Sequence, residues 1–243
     1  MSLHSIRKLG IPLMLCGLAC LAVEAGATGL AVSPLRLDLR PGQQMTALTV
    51  SNTGPSTVLV QGSVMSWQQD GRAEPLTLAR TMLLTPALFR LPPGGRQLVR
   101  IGWQQQTPAP EREQAYRVFM QEVPDGLPSG PGLQVNLRIG VPLFAAPATA
   151  PVSATDWSWQ TAQGHQPARV LVRNTGNRHE RITQLKISDA RQRVLRDGPL
   201  LLYVLPGATQ ALPLPAGEIT LPLLIEARSD QGNRQVTLPT PAS

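Results

Sequence analysis

The sequence predicts an all-β chain built as two sandwiches in tandem, on three observations. Proline (24) and glycine (21) recur as punctuation between short apolar runs. Those runs carry β-strand composition, and the long 3.6-residue period of amphipathic helices is missing. A pair of turn signatures then appears twice, in the same order. Short strands separated by turn signals are the pattern of a β-sandwich.

The first 27 residues stand apart. Arg7 and Lys8 precede an uncharged run of 13 residues from Ile11 to Val23, and Ala25-Gly26-Ala27 supplies small residues for signal peptidase. A spanning helix needs about 20 residues, and this run contains Pro12. It reads as a cleavable export signal, with an uncleaved anchor as the alternative. From residue 28 onward, "LAVSPLRLDL" (30–39), "ALTVSN" (47–52), "TVLVQGSVMSW" (57–67), "RQLVRIGW" (96–103) and "AYRVFMQEV" (115–123) read as strands. "DGLPSGPG" (125–132) is the loop of a hairpin whose return strand is "LQVNLRIGVPLF" (133–144), with an apolar residue at every second position. Strands usually run about 5–6 residues, so this one exceeds what a core needs.

"AAPATAP" (145–151) breaks the pattern and marks a hinge, giving a first domain over 28–147 and a second over 148–243. "VSNTG" at 50–54 returns as "VRNTG" at 172–176, and "LPPGGRQLVRI" (91–101) as "LPGATQALPL" (205–214). Two echoes in one order predict two immunoglobulin-like sandwiches.

Composition narrows the function. Cys16 and Cys20 both lie in the signal, so the processed chain has no cysteine and uses neither disulfide nor thiolate. Processing removes Arg7, Lys8 and Glu24 and leaves a net charge of +6 from +7. The cations are scattered at strand-like intervals with no basic run interleaved with aromatics, which argues against nucleic acid. His165 and His179 sit in polar, turn-like sequence and read as surface histidines without metal-ligand spacing. No glycine-rich phosphate loop and no nucleophile elbow are present. The expectation is a binding protein with no cofactor, no metal and no small-molecule substrate. Its cations are nearly all arginine, which grips carboxylates with two hydrogen bonds.

Three stretches carry a resemblance: "VSP" followed by Arg36 and "TVSN"; "TPALFRLPPGGRQLVRI" (85–101); and "REQAYRVFMQEVP" (112–124) leading to the alternating strand and "PLF". In order and spacing they resemble the periplasmic pilus-assembly chaperones of the chaperone–usher pathway. The short hairpin loop and absent cysteines are unlike that family's long-loop branch, and "EQAYR" is closer to the archaic branch serving spore-coat-U-like fimbriae. Departures are visible: Arg117 stands where an aromatic is expected, Phe119 where asparagine is, and Pro142 where a lysine precedes "LF".

The resemblance implies two immunoglobulin-like domains in an L, working in the periplasm. It implies a pilin subunit as partner, completed by a strand that the chaperone lends, and delivery to an outer-membrane usher. On this chain the groove-filling residues become Leu133, Val135, Leu137, Ile139 and Val141. Arg36 becomes one anchor for the pilin's terminal carboxylate, and Arg117, counted across the hairpin to lie opposite about Ile139, becomes the second. Glu113 becomes the interdomain acid, paired with an arginine across the cleft. Free protein has the option of capping its exposed strand by dimerising. Two other readings compete: a secreted tandem sandwich with a structural or adhesive role, and a hydrolase on a β-sandwich.

Overall fold

The structure is a computed structural model that describes residues 29–71, 73–124, 136–164 and 166–239. Among these residues there are strands and connections but no helix. The export signal and His165 lie outside them, as do Leu133 and Val135.

The first sandwich is made of ten strands: β1 (Leu30–Ser33), β2 (Leu37–Leu39), β3 (Met45–Asn52), β4 (Val58–Trp67), β5 (Leu76–Leu78), β6 (Met82–Thr85), β7 (Leu88–Leu91), β8 (Arg96–Trp103), β9 (Gln114–Val123) and β10 (Arg138–Ala145). One sheet has the order β1-β3-β8-β6 and the other β2-β10-β9-β4-β5, with β7 also on β4. Period-two alternation sends Val50, Val60, Val99, Ile101, Val118 and Met120 into the space between, where all are fully buried.

The run 30–39, expected as one strand, is two. Pro34 cannot donate to a ladder, and the chain crosses there from one sheet to the other. Antiparallel pairing joins β1 to β3, whereas β2 runs parallel to the end of β10. Strands β5, β6 and β7 are three or four residues long, too short to announce themselves by alternation.

The second sandwich holds β11 (Thr155–Gln160), β12 (Arg169–Asn174), β13 (Glu180–Ser188), β14 (Val194–Val204), β15 (Thr209–Pro213), β16 (Leu223–Ser229) and β17 (Gly232–Leu238). Its sheets run β11-β12-β15 and β14-β13-β16-β17.

The sequence echo is also a structural one. Asn52 Nδ2 donates to Ser56 O (2.7 Å) and Leu91 O (2.9 Å), and its Oδ1 accepts from Gly54 N (2.9 Å). Asn174 Nδ2 donates to Arg178 O (2.7 Å) and Val204 O (2.8 Å), and its Oδ1 accepts from Gly176 N (2.9 Å). Gly94 and Gly207, each at positive φ (71° and 79°), donate their N–H to Asn52 O and Asn174 O respectively. Each sandwich thus ties its turn to a distant strand through one buried amide, a satisfied polar group in an apolar core.

Candidate functional site

The site begins at β10, which has two different flanks. Its first flank is β9, paired from Arg138↔Gln121 to Ala145↔Gln114. Its second flank is β2, which reaches only Leu143 to Ala145. Among the described residues, Arg138 to Pro142 therefore form a one-sided edge. The switch of β1 into the opposite sheet is what leaves that edge open. Leu137 and Ile139 pack half-buried against the core at this end. Exposed apolar edges invite another strand.

Val141 behaves differently. It faces the same way as Leu137 and Ile139 but is only 1% exposed, sunk in the domain's own core. The expectation that it fills a partner's groove is corrected: core packing closes over the strand before β2 takes up its flank at Leu143. On the outer face, Phe119 lies across Gly140, where a Cβ would come within 2.9 Å of the ring, and the Arg138 guanidinium stacks 3.8 Å from the centroid of that ring. Phe119 in place of asparagine is thus matched by a glycine on the neighbouring strand.

The arginines meet at the other end of the open stretch. Arg117 pairs with Pro142, not with Ile139, a register three residues from the one counted on the sequence. Arg36 immediately precedes Leu37, the partner of Leu143. Pro142 thus has Arg117 opposite it on β9, and Arg36 lies just before β2 where that strand takes up the other flank at Leu143. Each guanidinium lies on an aromatic ring: Arg117 is 3.9 Å from the centroid of Trp67, and Arg36 is 5.2 Å from that of Phe144. The two rings are 6.1 Å apart. Stacking of this kind holds a guanidinium while leaving its N–H edge free for an anion. Burial lowers the affinity of Arg36 for its proton, but Asp38 and Asp230 outweigh that and raise its pKa.

Behind the arginines the two domains are clipped together. Glu113 is buried and accepts through Oε1 from His179 N (3.0 Å) and meets His179 Nδ1 at 2.6 Å. The partner is thus a histidine, not the expected arginine, and His179 is fully buried, not a surface residue. Its ring stacks on Phe144 at 3.8 Å and 15°. Asp230, in the turn between β16 and β17, lies 3.9 Å from His179 Nε2 and 3.7 Å from Arg36 Nη1. Gln69 adds a second clip, donating to Tyr203 O (2.9 Å) and accepting from Leu205 N (2.9 Å). Trp67, Ala115 and Phe144 pack with Tyr203, Leu205 and Ala208. Of four Trp, two Tyr and three Phe, one of each kind meets at this joint.

Trp67, Phe144, Tyr203 and Asp230 carry no expectation from the sequence, and His179 carries only that of a surface residue. A signal exists for two of them: each is a large ring at or next to the end of an apolar strand, Trp67 closing β4 and Phe144 last but one in β10.

With this geometry in hand, comparison identifies the family. Residues 29–151 match the model of the pili and flagellar-assembly chaperones, PapD N-terminal domain. The chain belongs to that family and is a pilus-assembly chaperone, not an enzyme. No curated protein matches the sequence. Among solved structures, it is similar to that of the CsuC–CsuE chaperone–tip adhesion subunit complex from archaic Csu pili of Acinetobacter baumannii. That match has 18% identity and a TM-score of 0.66 and covers 86% of this chain and 97% of the other. A Salmonella enterica SafA pilin–SafB chaperone complex matches at 19% identity and TM-score 0.61, covering 87% and 97%. The YadV chaperone matches at 16% and 0.63, covering 86% and 99%. Those likenesses establish the fold as two immunoglobulin-like domains.

Proposed function

We propose that this chaperone captures a pilin subunit by lending it the open flank of β10. The observation that carries the reading is the half-paired strand: β9 on one side throughout, and β2 on the other only from Leu143 onward. An incomplete sandwich presented to Arg138–Pro142 gains main-chain hydrogen bonds, and its groove receives Leu137 and Ile139, extended by Leu133 and Val135. Arg36 and Arg117 grip the terminal carboxylate of the subunit, each supported on its ring. In this reading the chaperone works in the periplasm after removal of an export signal at residues 1–27, with domains at 28–147 and 148–243. The same reading takes an outer-membrane usher as the recipient of the complex, and the archaic "EQAYR" wording is supported by a structural likeness to an archaic pilus chaperone. The same edge, when empty, is available to a second copy, so free chaperone caps itself as a dimer.

Co-expression with a pilin subunit encoded beside it, followed by co-purification, tests the proposal. Wild type carries the subunit through. Leu137→Arg forces a charge into an apolar groove and abolishes capture, while Arg117→Ala leaves the fold intact and weakens it. Unimpaired capture by both variants would overturn the reading.

A further inference from the structure

Both anchor arginines already hold a carboxylate of the chain's own. Arg36 grips Asp38 twice, Nη2 to Oδ1 at 2.9 Å and Nε at 3.1 and 3.2 Å from the two oxygens. Arg117 Nη2 lies 3.6 Å from Glu74 Oε2. In each pair the acid is the more open member, with side-chain exposures of 51% for Asp38 against 25% for Arg36, and 46% for Glu74 against 27% for Arg117. Each guanidinium is thus backed by an aromatic ring that stays buried and faced by a carboxylate that is about half exposed; Glu74 Oε1 also accepts from Gln69 Nε2 (3.0 Å), and Arg36 Nη1 keeps Asp230 at 3.7 Å on its other side.

We infer that Asp38 and Glu74 set the occupancy threshold of the anchor, as resident carboxylates that a partner's carboxylate must displace. The inference rests on the anchor role proposed above for Arg36 and Arg117. An exposed ion pair is worth only a few-fold in an equilibrium constant, so two together amount to about three- to tenfold. That factor applies equally to every incoming carboxylate, but its consequence differs. A chain end tethered by a strand already docked on β10 arrives at an effective concentration of roughly millimolar or more and wins. A loose peptide end has no such reserve and is pushed below occupancy. The carboxylates therefore clear loose chain ends from the anchor while a tethered end stays in place, and they neutralise two basic side chains until a subunit arrives.

The test uses a synthetic N-acetylated hexapeptide of alternating valine and threonine, with either a free or an amidated C-terminus, titrated into the whole chaperone by calorimetry. Asp38→Asn/Glu74→Gln is expected to bind the free acid about three- to tenfold more tightly than wild type, with no change for the amide. Glu218→Gln/Glu226→Gln, which removes the same charge from the second domain, is expected to behave as wild type. Equal affinity of Asp38→Asn/Glu74→Gln and wild type for the free acid, including no binding by either, would overturn the inference. So would an equal gain in the second-domain variant, because long-range charge would then explain it. An Arg36→Ala/Arg117→Ala variant separates the two ideas. If it loses the preference for the free acid while Asp38→Asn/Glu74→Gln is neutral, the anchor stands and the threshold role falls. If it keeps wild-type preference, the anchor itself falls.

Discussion

Replacing Glu113 by alanine isolates the clip between the domains. In the wild type one carboxylate oxygen serves two buried groups of the other domain, His179 N at 3.0 Å and Nδ1 at 2.6 Å. His179 is fully buried, so water does not replace the lost acceptor. Each orphaned donor costs about 1–3 kcal/mol, and breaking a buried pair from one side costs roughly 3–5 kcal/mol in total. For a protein of this size each kcal/mol moves Tm by about 2–4 °C, which gives a fall of roughly 6–20 °C. Glu113→Gln retains a carbonyl acceptor and should lose clearly less. Scanning calorimetry reads both variants, and the emergence of two separate transitions would show the domains uncoupled. A Glu113→Ala protein that melts within about 2 °C of wild type would refute the claim that this contact holds the joint.

The paired asparagines should respond alike. Asn52→Ala and Asn174→Ala each remove one bond to a buried carbonyl, one to a part-buried carbonyl and one from a turn N–H, costing about 2–4 kcal/mol in denaturant unfolding; a loss below about 0.5 kcal/mol at either would deny their equivalence. Acid stability has a contributor in Asp189. Burial works against its charge, but N–H groups of Arg193 and Arg191 and the Arg193 guanidinium outweigh this and lower its pKa below the usual carboxylate value. A lowered folded-state pKa stabilises above the unfolded value and is lost as pH falls through the folded one. Asp189→Asn should thus flatten the stability curve below about pH 4, and an unchanged slope would contradict the assignment. Gly140→Val should drive Phe119 and Arg138 off the strand, since its Cβ alone would stand 2.9 Å from the ring; reduced subunit capture by a folded variant is the expected outcome, checked by co-purification.

The parts of the fold legible in the sequence were those with a repeating physical cause. Alternation marked β3, β4, β8, β9 and most of β10, and the Asn-Thr-Gly turns marked both sandwiches because each needs an amide to tie a turn to a distant strand. What stayed hidden depended on partners far away in the chain. Pro34 signalled a break, but the move of β1 into the other sheet depends on β3 being there to receive it. Counting across the hairpin puts Arg117 three residues from its partner Pro142, because loop length alone does not fix strand register. His179 looked like a surface histidine because nothing local to "GNRHER" reveals that Glu113, 66 residues earlier, closes over it. Val141 shares the period of Leu137 and Ile139, and only the packed core distinguishes it.

Hydrogen exchange along β10 tests the central claim most directly, with the chaperone alone at a concentration where sedimentation shows monomer and again with bound pilin subunit. The account predicts that amides of Arg138 to Val141 not bonded to β9 exchange quickly in the free protein and slow on binding, while those of Leu143 to Ala145 are slow in both. Equal protection of Arg138 to Val141 in the two states would contradict it.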